Sequence, residues 1–332
     1  MTPAPIPPGE LGEAISVLAA GGLVAMPTET VYGLAADALD PNAVAKIFAL
    51  KGRPADHPLI VHLAPEAYLE DWAREIPEAA LALKAAFWPG PLTIILKKSP
   101  RVPDLVTGGQ DSVGLRCPSH PVAKRLLREF AKVGSGALAA PSANRFGHVS
   151  PTTAGHVRDE FGPGLLIVDG GACEVGLEST IVDLSRGEPV LLRPGAITRD
   201  DLARVLGKPI RNRDTEAPRA SGTLASHYAP RTPTEMVDSI ALARRLREAA
   251  AAGQRIAVLA RRRQNDLPAL AWRDAPKDAA GYGHDLYALL RDLDGNSADA
   301  IFVETPPAAS DWEAVRDRLA RAAAGGDDAD ET

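Results

Sequence analysis

Lys51 and Arg53 stand one residue apart, just past the end of an apolar-patterned helix. Beyond the helix both side chains can turn toward one anion, the guanidinium as a planar fork and the ammonium as a point charge. In isolation the same pair also reads as a surface pair closing the helix dipole. Ser142 and Asn144, in Pro-Ser-Ala-Asn, follow the apolar run Leu138 to Ala140. That is where a strand of an α/β sheet runs out, the edge at which such sheets bind ligands, although the tetrapeptide is equally able to form a local Asx or Ser turn. Arg116 and Arg193 each close an apolar run, and with Arg53 they offer three cations to a triphosphate, or to a phosphate and a carboxylate. Ser179-Thr180 opens a further run and could hydrogen bond a small polar substrate or simply begin a strand. His57 and His62 flank Pro-Leu-Ile-Val at an odd separation that puts them on opposite faces, so no shared metal is expected.

These residues need a scaffold, and the periodicities supply one. Helices are expected at 10–20, 41–51, 66–73, 77–87, 120–131 and 198–206, the second opening on Asp40-Pro41 with proline in its first turn. Short apolar strands are expected at 23–26, 59–63, 92–97, 112–116, 137–140, 165–169, 179–184 and 189–192. Their alternation, with some strands close enough to be antiparallel, predicts an α/β domain on a twisted mixed sheet over 1–207. Residues 208–233, rich in Pro, Arg, Ser and Gly, read as a linker. Residues 234–324 read as a small doubly wound βαβαβα unit, with strands near 235, 255–260 and 299–303 and helices at 239–252, 282–291 and 311–323. An N-terminal arm, 1–8, and an acidic tail, 325–332, are expected to be disordered.

The bulk properties exclude several classes. At 332 residues with 45% apolar content the chain can bury a two-domain core. A formal charge of -6 argues against a general polyanion binder. Local nucleic-acid contact would fall to Lys124, Arg125, Arg128 and Lys132, or to Arg261-Arg262-Arg263, for which a solvated charged face is the ordinary reading. Cys117 and Cys173 form no CxxC or ligand cluster and read as reduced core thiols. No run approaches the ~20 apolar residues of a membrane span, and no export signal is evident, so a cytoplasmic location is expected. The chain lacks GxxxxGK[ST], GxGxxG after the first strand, HExxH and GxSxG. A bound nucleotide would therefore be held by side chains at strand ends.

Ordered along the chain are Pro27-Thr-Glu-Thr-Val-Tyr-Gly-Leu34, Lys51-Gly-Arg53-Pro54, His57-Pro-Leu-Ile-Val-His62, Trp88-Pro-Gly-Pro-Leu-Thr93, Val113-Gly-Leu-Arg116, Ala140-Pro-Ser-Ala-Asn144, Ser150-Pro-Thr152, Glu178-Ser-Thr-Ile181 and Leu192-Arg-Pro-Gly195. Together they resemble the YrdC-type threonylcarbamoyl-AMP synthases. His227-Tyr-Ala-Pro230 and the unit after it resemble the long, two-domain form of that family.

The resemblance implies a YrdC-like sheet domain that makes threonylcarbamoyl-adenylate and pyrophosphate from L-threonine, bicarbonate or carbon dioxide, and ATP with Mg²⁺. A separate transferase would consume the product in tRNA modification. Carried over position by position, Lys51, Arg53, Ser142 and Asn144 are implied at the phosphates and the reacting centre. Thr30, His62, Arg116, Ser179 and the backbone at Ala140 are implied for threonine. His57, Ser112, Ser150 and Arg193 are implied for the nucleotide, with His227 and Tyr228 in a linker that closes over it. In this light the two histidines serve different ligands. Many long-form members read Pro-Gly-Met-Lys-Tyr-Lys/Arg before His-Tyr-Ala-Pro, whereas this chain has Ser221-Gly-Thr-Leu-Ala-Ser226. An alternative is a non-enzymatic RNA-binding or ribosome-maturation module, against which, as against direct tRNA binding, the acidic charge weighs. A carbamoyl-transfer protein of the hydrogenase-maturation kind would carry cysteine-rich zinc modules that this chain lacks.

Overall fold

A computed structural model describes residues 8–224, 226–264 and 266–324. The expected acidic tail and all but Pro8 of the expected arm lie outside the described residues. The chain divides into a large unit, residues 1–146 and 151–223, and a small unit, residues 147–150 and 224–332.

In the large unit the elements run α1 (Pro8–Ala19), β1 (Val24–Met26), β2 (Gly33–Asp37), α2 (Pro41–Lys51), β3 (Ile60–Leu63), β4 (Ala73–Arg74), α3 (Glu78–Phe87), β5 (Leu92–Lys98), α4 (Asp104–Thr107), β6 (Ser112–Arg116), α5 (Pro121–Phe130), β7 (Ala137–Ala139), α6 (Ala154–Phe161), β8 (Leu166–Ile167), β9 (Thr180–Asp183), β10 (Val190–Arg193), α7 (Arg199–Leu206) and β11 (Arg211–Asn212). The strands form one mixed sheet in the order β11-β10-β9-β5-β6-β3-β7-β2-β1-β8, with β4 paired to β5. This is the twisted mixed sheet that the apolar runs predict.

The two faces of the sheet are covered differently. Leu34, Val61, Leu115, Ile94 and Val182 point to one face and join the main core with α2 (Val44, Ile47) and α3 (Ala80, Leu83). On the other face, α1 (Leu11, Leu18) and α5 (Leu126, Leu127, Phe130) cover only the half built from Val24, Met26, Ala35, Leu138 and Ala140. Beyond Leu138 that second face holds Ile60, Ile95, Ile181 and Leu192, against which Ala217 and Ala220 pack. There an irregular segment takes the place of a helix.

Local sequence explains the ends that matter. Asp40 caps α2 by accepting from the Asn42 amide at 2.9 Å. Gly52 closes the helix with φ 64, a left-handed conformation that glycine adopts without penalty. This turn takes Arg53 off the helix axis beside Lys51.

The helix expected at 66–73 is absent. Leu69–Asp71 form a 3₁₀ turn, and Ala73 and Arg74 pair with Lys98 and Lys97 of β5. Burial of Trp72 together with the strand pairing outweighs the helical pattern. Strand β2 and helix α6 were not expected from periodicity.

The small unit contains β12 (Thr234–Val237), α8 (Leu242–Ala251), β13 (Ile256–Ala260), β14 (Ala271–Asp274), α9 (Ala279–Asp294), β15 (Ala300–Glu304) and α10 (Glu313–Ala323). All its strand pairs are parallel, in the order β12-β15-β13-β14. Edge strand β14 is added to the three strands that the periodicity identifies. Helix α8 packs with Val237, Ile256, Val258, Ala260 and Phe302. Helices α9 and α10 pack on each other, with Tyr282 of α9 edge-on to Trp312 at 5.6 Å.

Candidate functional site

The pairing register builds the site. Reading across the sheet, Leu138 of β7 lies beside His62 of β3, His62 beside Arg116 of β6, Arg116 beside Thr93 of β5, Thr93 beside Ile181 of β9, and Ile181 beside Arg193 of β10. Residues on one rung of a sheet share a face. His62, Arg116 and Thr93 therefore emerge together where α1 and α5 no longer cover the sheet, and Arg193, past an irregularity in the β9–β10 register that puts it on the same face as Leu192, joins them through its bonds to Ser179.

Each is fixed by neighbours. Arg116 donates to the Glu29 carboxylate at 2.6 Å, both residues being buried, and the second Glu29 oxygen accepts from the Ser119 amide at 3.1 Å. The buried Nε of Arg116 has no hydrogen-bond partner among the described residues. His62 sits next to it, with Nδ1 3.2 Å from the Ile60 carbonyl. Burial first, and then the Arg116 charge, push the His62 imidazole down to about 3, so the ring is neutral. Ser179 and Thr93 join their hydroxyls at 2.7 Å. Arg193 donates to the Ser179 carbonyl at 3.0 Å and to its hydroxyl at 3.2 Å. Thr30 is buried in the turn before β2, 2.9 Å from the Thr28 hydroxyl.

Lys51 is 3% exposed and donates to the Ser142 carbonyl at 2.7 Å and to the Asn144 carbonyl. Ser142 is held to the sheet by a bridge to Gly33, and the preceding Ala140 amide donates to the Ile60 carbonyl at 3.0 Å. The structure thus joins Lys51 to Ser142-Ala-Asn144 across ninety residues of chain. Burial, with Arg53 second, holds the Lys51 ammonium well below its ordinary value, while Glu160 opposes the shift.

Arg53 donates to the Pro58 carbonyl at 2.9 Å and to the Ser221 hydroxyl at 3.2 Å, and it lies over the Phe146 ring at 5.7 Å. His57 meets that ring edge-on at 5.2 Å. It precedes β3 rather than lying in it, so strand alternation does not govern its direction. Ser112, at the start of β6, is buried nearer Ile60, Ile95 and Ile181, in a narrow crevice that Arg219, Ala220 and Ser221 close. Arg193 holds the Ser221 carbonyl at 2.9 Å, and Arg219 exchanges hydrogen bonds with the Gln110 side chain at 2.7 and 3.1 Å.

Ser150, His227 and Tyr228 belong to the small unit. Tyr228, buried with φ 62, stacks on Tyr287 at 5.7 Å beneath the Arg318 guanidinium at 5.2 Å. His227 lies edge-on to Tyr228 at 4.2 Å. Residues 147–150 join this unit through the Ala229 amide, which donates to the Gly147 carbonyl at 2.8 Å, and through Arg291, which donates to the Val149 carbonyl.

Glu29 and Thr93 were given no role by sequence reasoning, although both stand inside motifs singled out above. A carboxylate in a mostly apolar run was the available signal for Glu29. Cys117 and Cys173 are buried free thiols, burial pushing Cys117 up to about 11 and Cys173 up as well. Among the described residues no three His, Cys, Asp or Glu side chains gather to hold a metal, and no helix is long and apolar enough to cross a membrane.

Comparison with known proteins places this geometry in context. Residues 16–195 match the Sua5, YciO and YrdC family model, described as telomere recombination. Residues 197–324 match the model described as threonylcarbamoyl-AMP synthase, C-terminal domain. A Pyrococcus abyssi protein named threonylcarbamoyl-AMP synthase is 39% identical over 91% of this chain and 90% of its own. One of that name from Bacillus subtilis is 38% identical over 95% and 93%. The crystal structure of P. abyssi Sua5 complexed with L-threonine superposes with a TM-score of 0.88 at 37% identity, covering 97% of this chain and 96% of that one.

Proposed function

The chain belongs to the threonylcarbamoyl-AMP synthase family, enzymes of the nucleotidyltransferase type, and on that premise we propose that it forms L-threonylcarbamoyl-adenylate and pyrophosphate from L-threonine, bicarbonate or carbon dioxide, and ATP. The non-enzymatic alternative does not describe this family. The observation that carries the reading is Arg116, buried beside neutral His62 with Nε unused. An orphan buried guanidinium donor is costly unless a ligand supplies its partner, and the carboxylate of an amino acid is the natural one. Glu29 fixes the guanidinium, while Ser179, Thr30 and the Ala140 backbone offer groups for the amine and the hydroxyl.

The chemistry fits these residue types. The threonine amine must be neutral to attack carbon dioxide, forming the N–C bond and giving up a proton. A carbamate oxygen then attacks the α-phosphorus, the Pα–O bond to the β-phosphate breaks, and pyrophosphate leaves. Such a displacement needs alignment and charge neutralisation rather than a covalent enzyme intermediate. Lys51 and Arg53 are suited to the phosphates, with the Ser142-Ala-Asn144 turn beside them. His57, Ser112 and Arg193 are suited to the rest of the nucleotide. For Ser150, His227 and Tyr228 the proposal rests on the family motif. Mg²⁺ would enter with ATP as part of the substrate and neutralise phosphate charge, while Glu29 is already engaged by Arg116 and the Ser119 amide. The product, an activated carbamate, would pass in the cytoplasm to a separate transferase acting on tRNA.

Mass spectrometry of products from ATP and bicarbonate with threonine, serine or glycine tests the reading. An adenylate of the threonylcarbamoyl mass is expected, strongest with threonine. Its absence with threonine would overturn the proposal.

A further inference from the structure

The run Arg261-Arg262-Arg263 plays no part in the reaction above, and its place in the small unit is informative. Neighbours β12 and β15 are parallel, yet α8, which follows β12, packs with Val258 and Phe302, whereas α10, which follows β15, packs with α9 in a separate group. Parallel neighbours whose helices diverge to opposite faces leave a crevice outside their carboxyl ends, the position where open α/β sheets take ligands. A cleft of about 420 Å³ lies there. Its lining comes from the ends of all four strands: Ser239 after β12, Arg261 and Arg262 after β13, Lys277 after β14 and Glu304 at the end of β15, with Gln264 from the β13–β14 connection. The size suits a small molecule.

The charges are sorted. Arg261 is committed to Glu304, its guanidinium at 2.7 Å from one carboxylate oxygen and its amide at 2.7 Å from the other. Its buried Nε has no partner among the described residues. Arg263 turns away, donating to the Trp272 carbonyl at 2.8 Å with Asp274 3.9 Å distant. Ser239, Arg262, Gln264 and Lys277 have no side-chain hydrogen bond or ion pair among the described residues. With Glu304 offset by Arg261, two cations and two neutral donors face the cleft uncompensated. That matches the charge and acceptor oxygens of a phosphomonoester. A polynucleotide would call for a row of cations along an open surface, and the diversion of Arg263 breaks such a row.

We propose that this crevice binds a phosphorylated ligand of mononucleotide size. The proposal rests on the small unit alone and stands or falls apart from the threonylcarbamoyl reaction. The test is calorimetric titration of the full chain with AMP, inorganic phosphate and a short single-stranded RNA, comparing wild type with Arg262→Glu/Lys277→Glu. Both substituted residues are exposed, so fold and threonine-dependent pyrophosphate release are expected to be unchanged. The double variant should bind AMP about tenfold more weakly, or bind one AMP fewer, and wild type should prefer AMP to phosphate by about tenfold. No AMP binding, identical AMP titrations for the two proteins, phosphate bound as tightly as AMP, or a loss confined to RNA would each overturn it.

Discussion

Lys51 holds a cationic group where burial disfavours charge, and the Ser142 and Asn144 carbonyls, with Glu160 acting electrostatically, offset that only in part. In the proposed reaction an arriving triphosphate would supply the missing counter-charge, an anion that develops further charge during transfer. Lys51→Met keeps the buried stem and removes the ammonium. Pyrophosphate release dependent on threonine and bicarbonate is expected to fall about 10²–10³-fold, with the thermal midpoint little changed. Near-normal turnover would remove Lys51 from the mechanism. His62 makes a different prediction, about stability. Its folded value of about 3 lies below the ordinary 6.5, so the unfolded chain takes up the proton first. Stability is therefore complete above about pH 6.5 and declines on acidification until about pH 3, with roughly 2 kcal/mol lost between about pH 7 and pH 5 from this group. Denaturant titrations of wild type and His62→Gln at the two pH values check it, the variant being expected to lose that part of the slope.

At the scale of elements, the site depends on register. His62, Arg116, Thr93 and Arg193 could each be picked out as polar residues in or beside apolar runs, but only the pairing of β3, β6, β5, β9 and β10 aligns them on one rung. Pairing partners are set by long-range contacts that no single run encodes, so the alignment was not legible in the sequence. Helix α2 was legible because Asp40, Pro41 and Gly52 mark both of its ends. Strand β2, Gly-Leu-Ala-Ala-Asp, was not, because its small residues carry little strand preference and earn their place by burial. The exit of β10 is a tight point. A Cβ on Gly195 would lie 2.5 Å from the Thr180 amide nitrogen and 2.9 Å from the Glu178 carbonyl, and backbone cannot swing aside. Gly195→Ala should cost roughly 1–3 kcal/mol and, by moving β10 off β9, loosen Arg193 from Ser179. A larger loss in threonine-dependent turnover than in ATP binding is not expected; both should weaken, as measured by initial rates and by titration with a non-hydrolysable ATP analogue.

At the scale of the whole molecule, each unit has its own core, the small one built around Val258, Leu246 and Phe302. The sequence marked residues 208–233 as a single linker, whereas contacts assign its residues up to Thr223 to the large unit and those from Leu224 to the small one. What the linker does could not be read from composition. Its serine and alanines become informative only beside Arg53, Arg193 and the isoleucine-lined crevice. Residues 147–150 were equally illegible, since nothing in Gly-His-Val-Ser announces that a passage within the first motif series belongs with the second unit. Arg291→Ala removes the donor to the Val149 carbonyl, a bond of the charge-assisted kind worth roughly 1.5–3 kcal/mol. Amide hydrogen exchange over 147–150 should quicken by about tenfold or more, and turnover should fall although Arg291 is assigned no role with substrate.

That short passage has a mechanical meaning. Only Arg145 and Phe146 separate Asn144 from Gly147, so a span of three residues, at most about 11 Å when fully drawn out, links the Ser142-Ala-Asn144 turn covalently to the first residue of the small unit. The chain crosses between the bodies three times, at 146–147, 150–151 and 223–224. A single nick in the long linker would leave two covalent crossings intact, so the two units would stay joined after it.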